Sequence, residues 1–117
     1  MTIKYDPSAL WDELRRHADA VSAGDTAVAW TALERAHILA QPRLVPHLRV
    51  HALMLRHAIA TRDRREVLGQ LARLALAPLG AATGRIPVGN TGRASVSAFR
   101  PMPIPSDLRD AVGEERR

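Results

Sequence analysis

The chain has no cysteine, a single lysine (Lys4), and aromatic residues amounting to 3% of its length. Without cysteine there are no disulfides, thiolate metal sites, iron–sulfur clusters or cysteine nucleophiles. No apolar run is long enough to span a bilayer, and the N-terminus carries no signal-peptide pattern. The sequence therefore reads as that of a soluble, cytoplasmic, bacterial-type protein. The near-absence of lysine means that the formal charge of +5 is carried by arginine. Such a balance permits acidic partners, but no nucleic-acid recognition motif accompanies it. Arg49 and Arg56 form a basic outer stripe that reads as a solvated helix face, and nucleic acid is not an expected partner.

What is present is apolar and small. Of 117 residues, 46% are hydrophobic, mostly Leu, Ala and Val. That composition suits one small domain of close-packed helices better than a sheet sandwich. Asp6 and Pro7 mark the start of a helix running to about Ala23, with Leu10, Leu14, His17, Ala18 and Val21 on one stripe. A second helix spans Thr26 to Ala40, capped by Asp25 and stopped by Pro42. Ala29, Leu33, Ala36 and Ala40 form its stripe, Trp30 and His37 its shoulder. The third runs from Val45 to Arg62, with Leu44, Leu48, His51, Ala52, Leu55 and Ile59 on its apolar face. His47 sits at the edge of that face and His57 well off it. The fourth runs from Asp63 to Leu79. Asp63 and Glu66 make a capping-box-like pattern there, and Val67, Leu71, Leu74 and Ala75 face inward. Short loops make neighbouring helices antiparallel. The expected fold is all-α, a roughly four-helix antiparallel array of two helical hairpins over residues 1–80.

From Gly80 the character changes. Gly84, Gly89, Gly92, Pro87, Pro101, Pro103 and Pro105 interrupt regular helix, yet Ile86, Val88, Val96, Phe99 and Ile104 make the segment too apolar for a linker. Residues 81–117 are therefore expected to form an extended C-terminal arm packed on the helical domain or exchanged with a partner subunit in a homodimer. A short helical turn is expected from Ser106.

The chemistry lies in the histidines. His17, His37 and His51 fall on the apolar stripes of three different helices. Glu34 and His37 are three apart, and His47 and His51 four apart, so each pair projects from adjacent turns of one face. Neutral imidazole is the commonest metal ligand and suits Zn, Cu, Fe or Ni. The candidate metal ligands are His17, His37 and His51, with Glu34 and His47 in support. A di-iron bundle needs two Glu–His pairs and two further inward carboxylates, and only one such pair is present. The expected function is a small metal-binding helical protein, serving metal homeostasis or non-haem metalloenzyme chemistry. The alternative is a non-catalytic interaction module that binds another protein and keeps its histidines in a structural polar network. No nucleophile elbow, dinucleotide fingerprint or P-loop accompanies them, so no catalytic residue or substrate is assigned.

Two resemblances bear on this. Gly24–Asp–Thr–Ala–Val–Ala–Trp30, with Leu33, Ala36 and Pro42, resembles the second half of a tetratricopeptide repeat, although no second repeat follows. Four segments together resemble a bacterial family known as domain of unknown function 3703. They are Leu33–Glu–Arg–Ala–His–Ile–Leu–Ala–Gln41, Gly69–Gln–Leu–Ala–Arg73, Gly84–Arg–Ile–Pro–Val–Gly–Asn–Thr–Gly–Arg93, and Pro101–Met–Pro–Ile–Pro105 with Asp107–Leu108. The resemblance covers almost the whole chain and implies a single-domain protein. It carries no catalytic residues with it.

Overall fold

In a computed structural model, residues 4–83, 90–97 and 100–113 are described. Helix α1 spans Pro7–Ser22, α2 Thr26–Ala40, α3 Leu44–Ala60 and α4 Arg64–Thr83. A 3-10 turn over Ser106–Leu108 leads directly into α5, Arg109–Val112. The described residues contain no strand. Three starts are fixed by aspartate caps. Asp6 accepts from the Ala9 amide at 3.0 Å, Asp25 from Val28 at 3.1 Å and Asp63 from Glu66 at 3.1 Å. Each satisfies one of the amides that a helix start leaves unpaired.

Helix α1 packs on α2, α2 on α3 and α3 on α4. The core joins Leu10, Trp30, Leu33, Leu39, Val50 and Met54 to Ile104, Leu108 and Val112 of the C-terminal segment. The end of that segment meets the start of the chain, where the Lys4 amide donates to the Val112 carbonyl at 2.6 Å. Arg35 ties the same region together: Nε donates to Glu13 at 2.9 Å, and the other end of the guanidinium grips both oxygens of Asp107. Ile86, Val88 and Phe99, expected as arm anchors, lie outside the described residues.

Two expectations need correction. The fourth helix, expected to end at Leu79, runs through Pro78 to Thr83. A proline removes one amide from the ladder, and at an exposed position this leaves the helix able to continue past it. More importantly, α3 and α4 are turned relative to their leucine stripes. On α3 the buried residues are His47, Val50, His51, Met54, His57 and Ala58, while Leu44 and Ile59 are exposed. On α4 Glu66 and Gln70 are buried and Leu68 and Leu71 exposed. The reason is polar: these inward side chains are bonded to one another and to the arm, so burying them leaves most of their hydrogen-bonding capacity filled. Glu13 on α1 is buried for the same reason, against Arg35, while Val21 faces out.

Candidate metal centre

The buried faces of α2 and α3 bring His37, His47 and His51 together. Their Nε2 atoms form a triangle with sides of 3.0 Å (His37–His47), 3.1 Å (His37–His51) and 3.1 Å (His47–His51). A tetrahedral ion with bonds of about 2.0–2.1 Å holds its ligand nitrogens about 3.3–3.4 Å apart, within a few tenths of an ångström of this spacing. Among the described residues these three are the group whose ligand atoms converge in this way.

The outer nitrogens fix the tautomers. Nδ1 of His37 lies 2.6 Å from the Asn90 carbonyl oxygen. A carbonyl only accepts, so this nitrogen carries the proton and donates. Nδ1 of His51 lies 2.7 Å from Gln70 Oε1. The orientation of that amide is set by its other end, where Nε2 donates to Glu66 at 3.0 Å and to the Gly92 carbonyl at 2.9 Å. His51 therefore also donates from Nδ1. With both outer protons committed, the Nε2 lone pairs of His37 and His51 point at each other across 3.1 Å. The Nδ1 of His47 is buried with no hydrogen-bond partner.

Burial keeps all three rings neutral. It is the main cause that pushes His37 well below the usual histidine value, with the neighbouring His51 and His47 adding to it. His47 is lowered to about 4 by burial and by His51. His51 is lowered by burial, partly opposed by its bond to Gln70. Neutral imidazole is the ligand form.

The support comes from α4 and the arm. Glu66 holds the Gln70 amide with one oxygen; with the other it accepts from Arg93 Nε at 2.5 Å and the Ala94 amide at 3.0 Å. Asn90 folds the arm around itself: its amide donates to the carbonyls of Ser97 and Arg100, and its oxygen accepts from Gly92 N–H. Gly92 has φ +79° and lies flat on the His37 ring; a Cβ there would come within 2.5 Å of Cδ2. A Cβ at Gly69 would lie 2.3 Å from that of Ala94, so α4 and the arm approach through a second glycine.

The other expected ligands lie elsewhere. His17 places Nδ1 3.0 Å from the Ala29 carbonyl and its ring edge-on to His57, with centroids 5.4 Å apart. His57, expected on the outside, is buried against Trp30 at 4.8 Å between centroids. Glu34 pairs with Arg93 at 3.4 Å. Burial raises the Glu34 pKa despite that partner. Arg93 also lies over the Trp30 ring, 3.8 Å from its centroid.

A family model described as a protein of unknown function (DUF3703) matches residues 7–112. This chain belongs to that family. No curated protein and no solved structure matches the chain. The family match spans both the helices that carry the triad and the arm residues that orient it. The supporting residues Gln70, Asn90, Gly92, Glu66 and Arg93 are not chemically conspicuous in the sequence. Gln70 lies in the Gly69–Arg73 segment, and Asn90, Gly92 and Arg93 in the Gly84–Arg93 segment, where Gly69 and Gly92 permit close approaches; Glu66 is marked only by its place in the capping-box-like pattern.

Proposed function

We propose that this protein binds one transition-metal ion through the Nε2 atoms of His37, His47 and His51, as a metal-handling protein or a small non-haem metalloprotein. The observation that carries this reading is the 3.1 Å approach of the His37 and His51 Nε2 atoms, whose outer acceptors leave each neutral ring with its lone pair on that side. Two buried acceptors at that distance repel unless something positive lies between them. A cation that takes all three lone pairs turns the repulsion into coordination. The outer-shell pattern also fits, since metal-bound histidines characteristically donate their second N–H to a carbonyl or a carboxylate-linked group.

The alternative, a structural polar network in an interaction module, rests on His47. If its proton sits on Nε2, it donates towards both neighbours. That supplies one proton for three contacts and leaves the His37–His51 contact unbridged. Elemental analysis of protein purified without a histidine tag separates the two readings. One equivalent of metal, absent from the His37→Ala/His51→Ala variant, supports the site. Metal-free protein whose melting temperature is unmoved by added Zn, Cu, Fe or Ni salts contradicts it, because an ion bound to the native state stabilises it by mass action.

A further inference from the structure

The triad offers three ligands, all neutral. No carboxylate joins them among the described residues. The nearest acidic network is already used: Glu66 is bonded to Gln70, Arg93 and the Ala94 amide, and Glu34 is paired with Arg93. The neighbouring amide side chains are used as well. Gln70 Oε1 accepts from His51, and the Asn90 side chain serves Ser97, Arg100 and Gly92. A divalent ion in this buried setting brings two positive charges and finds none of the opposite sign in its ligand set.

Arg73 adds to the imbalance. It sits on α4 one turn beyond Gln70, with its terminal nitrogens donating to the Gly69 carbonyl at 3.3 Å and the Val96 carbonyl at 2.5 Å. Both hydrogen-bond partners are neutral, its Nε–H is buried with no acceptor, and Glu66 acts on it only through space. Its charge is felt by His37 and His51. Closed structural sites use four protein ligands, whereas sites with three keep a position for a ligand from solution.

Resting on the metal reading above, we propose that a divalent ion held by His37, His47 and His51 takes a small anion from solution as its fourth ligand, and that Arg73 favours that anion electrostatically. Hydroxide, formed when a bound water releases a proton to solvent, and an added small anion answer the same description. An open, anion-accepting position marks a centre able to act on small ligands, in contrast to a structural staple.

The test uses the untagged full-length chain loaded with Co²⁺, whose visible spectrum reports coordination, and titrated with sodium azide. The expected result is one equivalent of tetrahedral Co²⁺ whose bands shift saturably with azide. Arg73→Gln should bind Co²⁺ but weaken azide by about tenfold or more, because it removes a nearby positive charge from a buried setting. Arg73→Lys, which keeps the charge, should stay within about threefold of wild type. Stoichiometric Co²⁺ with an azide-silent spectrum overturns the open position and leaves the metal reading standing. An azide affinity unchanged in Arg73→Gln overturns the role of Arg73. If that variant fails to fold, the wild-type and Arg73→Lys titrations still decide the open position. Failure to take up Co²⁺ at all overturns both the metal reading and this inference.

Discussion

The five histidines fall into two groups that differ in one respect. His17 and His57 meet edge-on beside Trp30, and His17 directs a ring nitrogen to a backbone carbonyl. His37, His47 and His51 are packed as ring pairs too, with centroids 4.7–4.8 Å apart, yet their Nε2 atoms meet at one point. Burial does not separate the groups, since His57 and His47 are each 7% exposed. What separates them is convergence: among the described residues His37, His47 and His51 bring their ligand nitrogens together, and His17 and His57 do not join them. Carbonyl acceptors on the far nitrogens of His37 and His51 turn both lone pairs inward. Two of the three rings are thus oriented from outside, while His47 has no partner on its outer nitrogen.

The sharpest way to break this comparison is to remove one group at a time. His37→Ala/His51→Ala should abolish stoichiometric metal binding. His17→Ala/His57→Ala should retain it, while lowering the melting temperature through lost packing against Trp30. Metal analysis of the two double variants checks both halves. Equal losses would mean that the groups are not distinct.

The next effect comes from the arm. Gly92→Ala combines a left-handed backbone with a Cβ directed into the His37 ring. It should cost about 1–3 kcal/mol of stability and displace the Asn90 carbonyl from His37. Denaturant unfolding with and without Zn²⁺ should show a loss larger in the metal-loaded protein. A loss of the same size in both forms would mean that the arm does not support the triad.

Gln70→Leu removes the acceptor that sets the His51 tautomer and takes from one Glu66 oxygen its Gln70 donor. Metal affinity should fall by about 10–100-fold, the usual cost of an outer-shell partner, and calorimetric Zn²⁺ titration measures it. An unchanged affinity would show that the relay from Glu66 through Gln70 does not reach the metal.

Much of the fold was legible in the sequence because it is written locally. Asp6, Asp25 and Asp63 stand where helix starts need acceptors, and the alanine stripe of α2 is buried as its spacing implies. The rotation of α3 and α4 was not legible. Leu44, Leu48, Ala52, Leu55 and Ile59 make the stronger apolar stripe on α3, but the helix buries His47 and His57 along with the expected His51. That choice depends on partners elsewhere in the chain, His37 for His47 and His51, Gln70 for His51 and Trp30 for His57, which periodicity within one helix does not reveal. The same rotation explains why His47 moves from a supporting position into the triad. Glu34 and His17 showed the right residue types at the right spacing and were drawn instead to Arg93 and to the Ala29 carbonyl.

The apoprotein should also respond to pH. In the folded apoprotein the triad resists protonation, and His47 titrates only at about 4. In the unfolded chain each histidine takes up its proton near 6.5. As the pH falls below about 6.5 the unfolded state binds more protons, so stability declines, and the His47 share of that decline ends at about pH 4. The His47 contribution is on the order of 3 kcal/mol over that window. His47→Leu should flatten the pH dependence of apoprotein unfolding between those values; an unaltered slope would place the uptake elsewhere.

The central claim concerns which nitrogen of which ring points inward, and long-range ¹⁵N–¹H NMR of the imidazoles reads this directly. On adding one equivalent of Zn²⁺, the Nε2 resonances of His37, His47 and His51 should shift to metal-bound values while their Nδ1 atoms stay protonated. His17 and His57 should be unchanged. Spectra in which Zn²⁺ shifts none of the triad, or shifts all five histidines alike, would contradict the account.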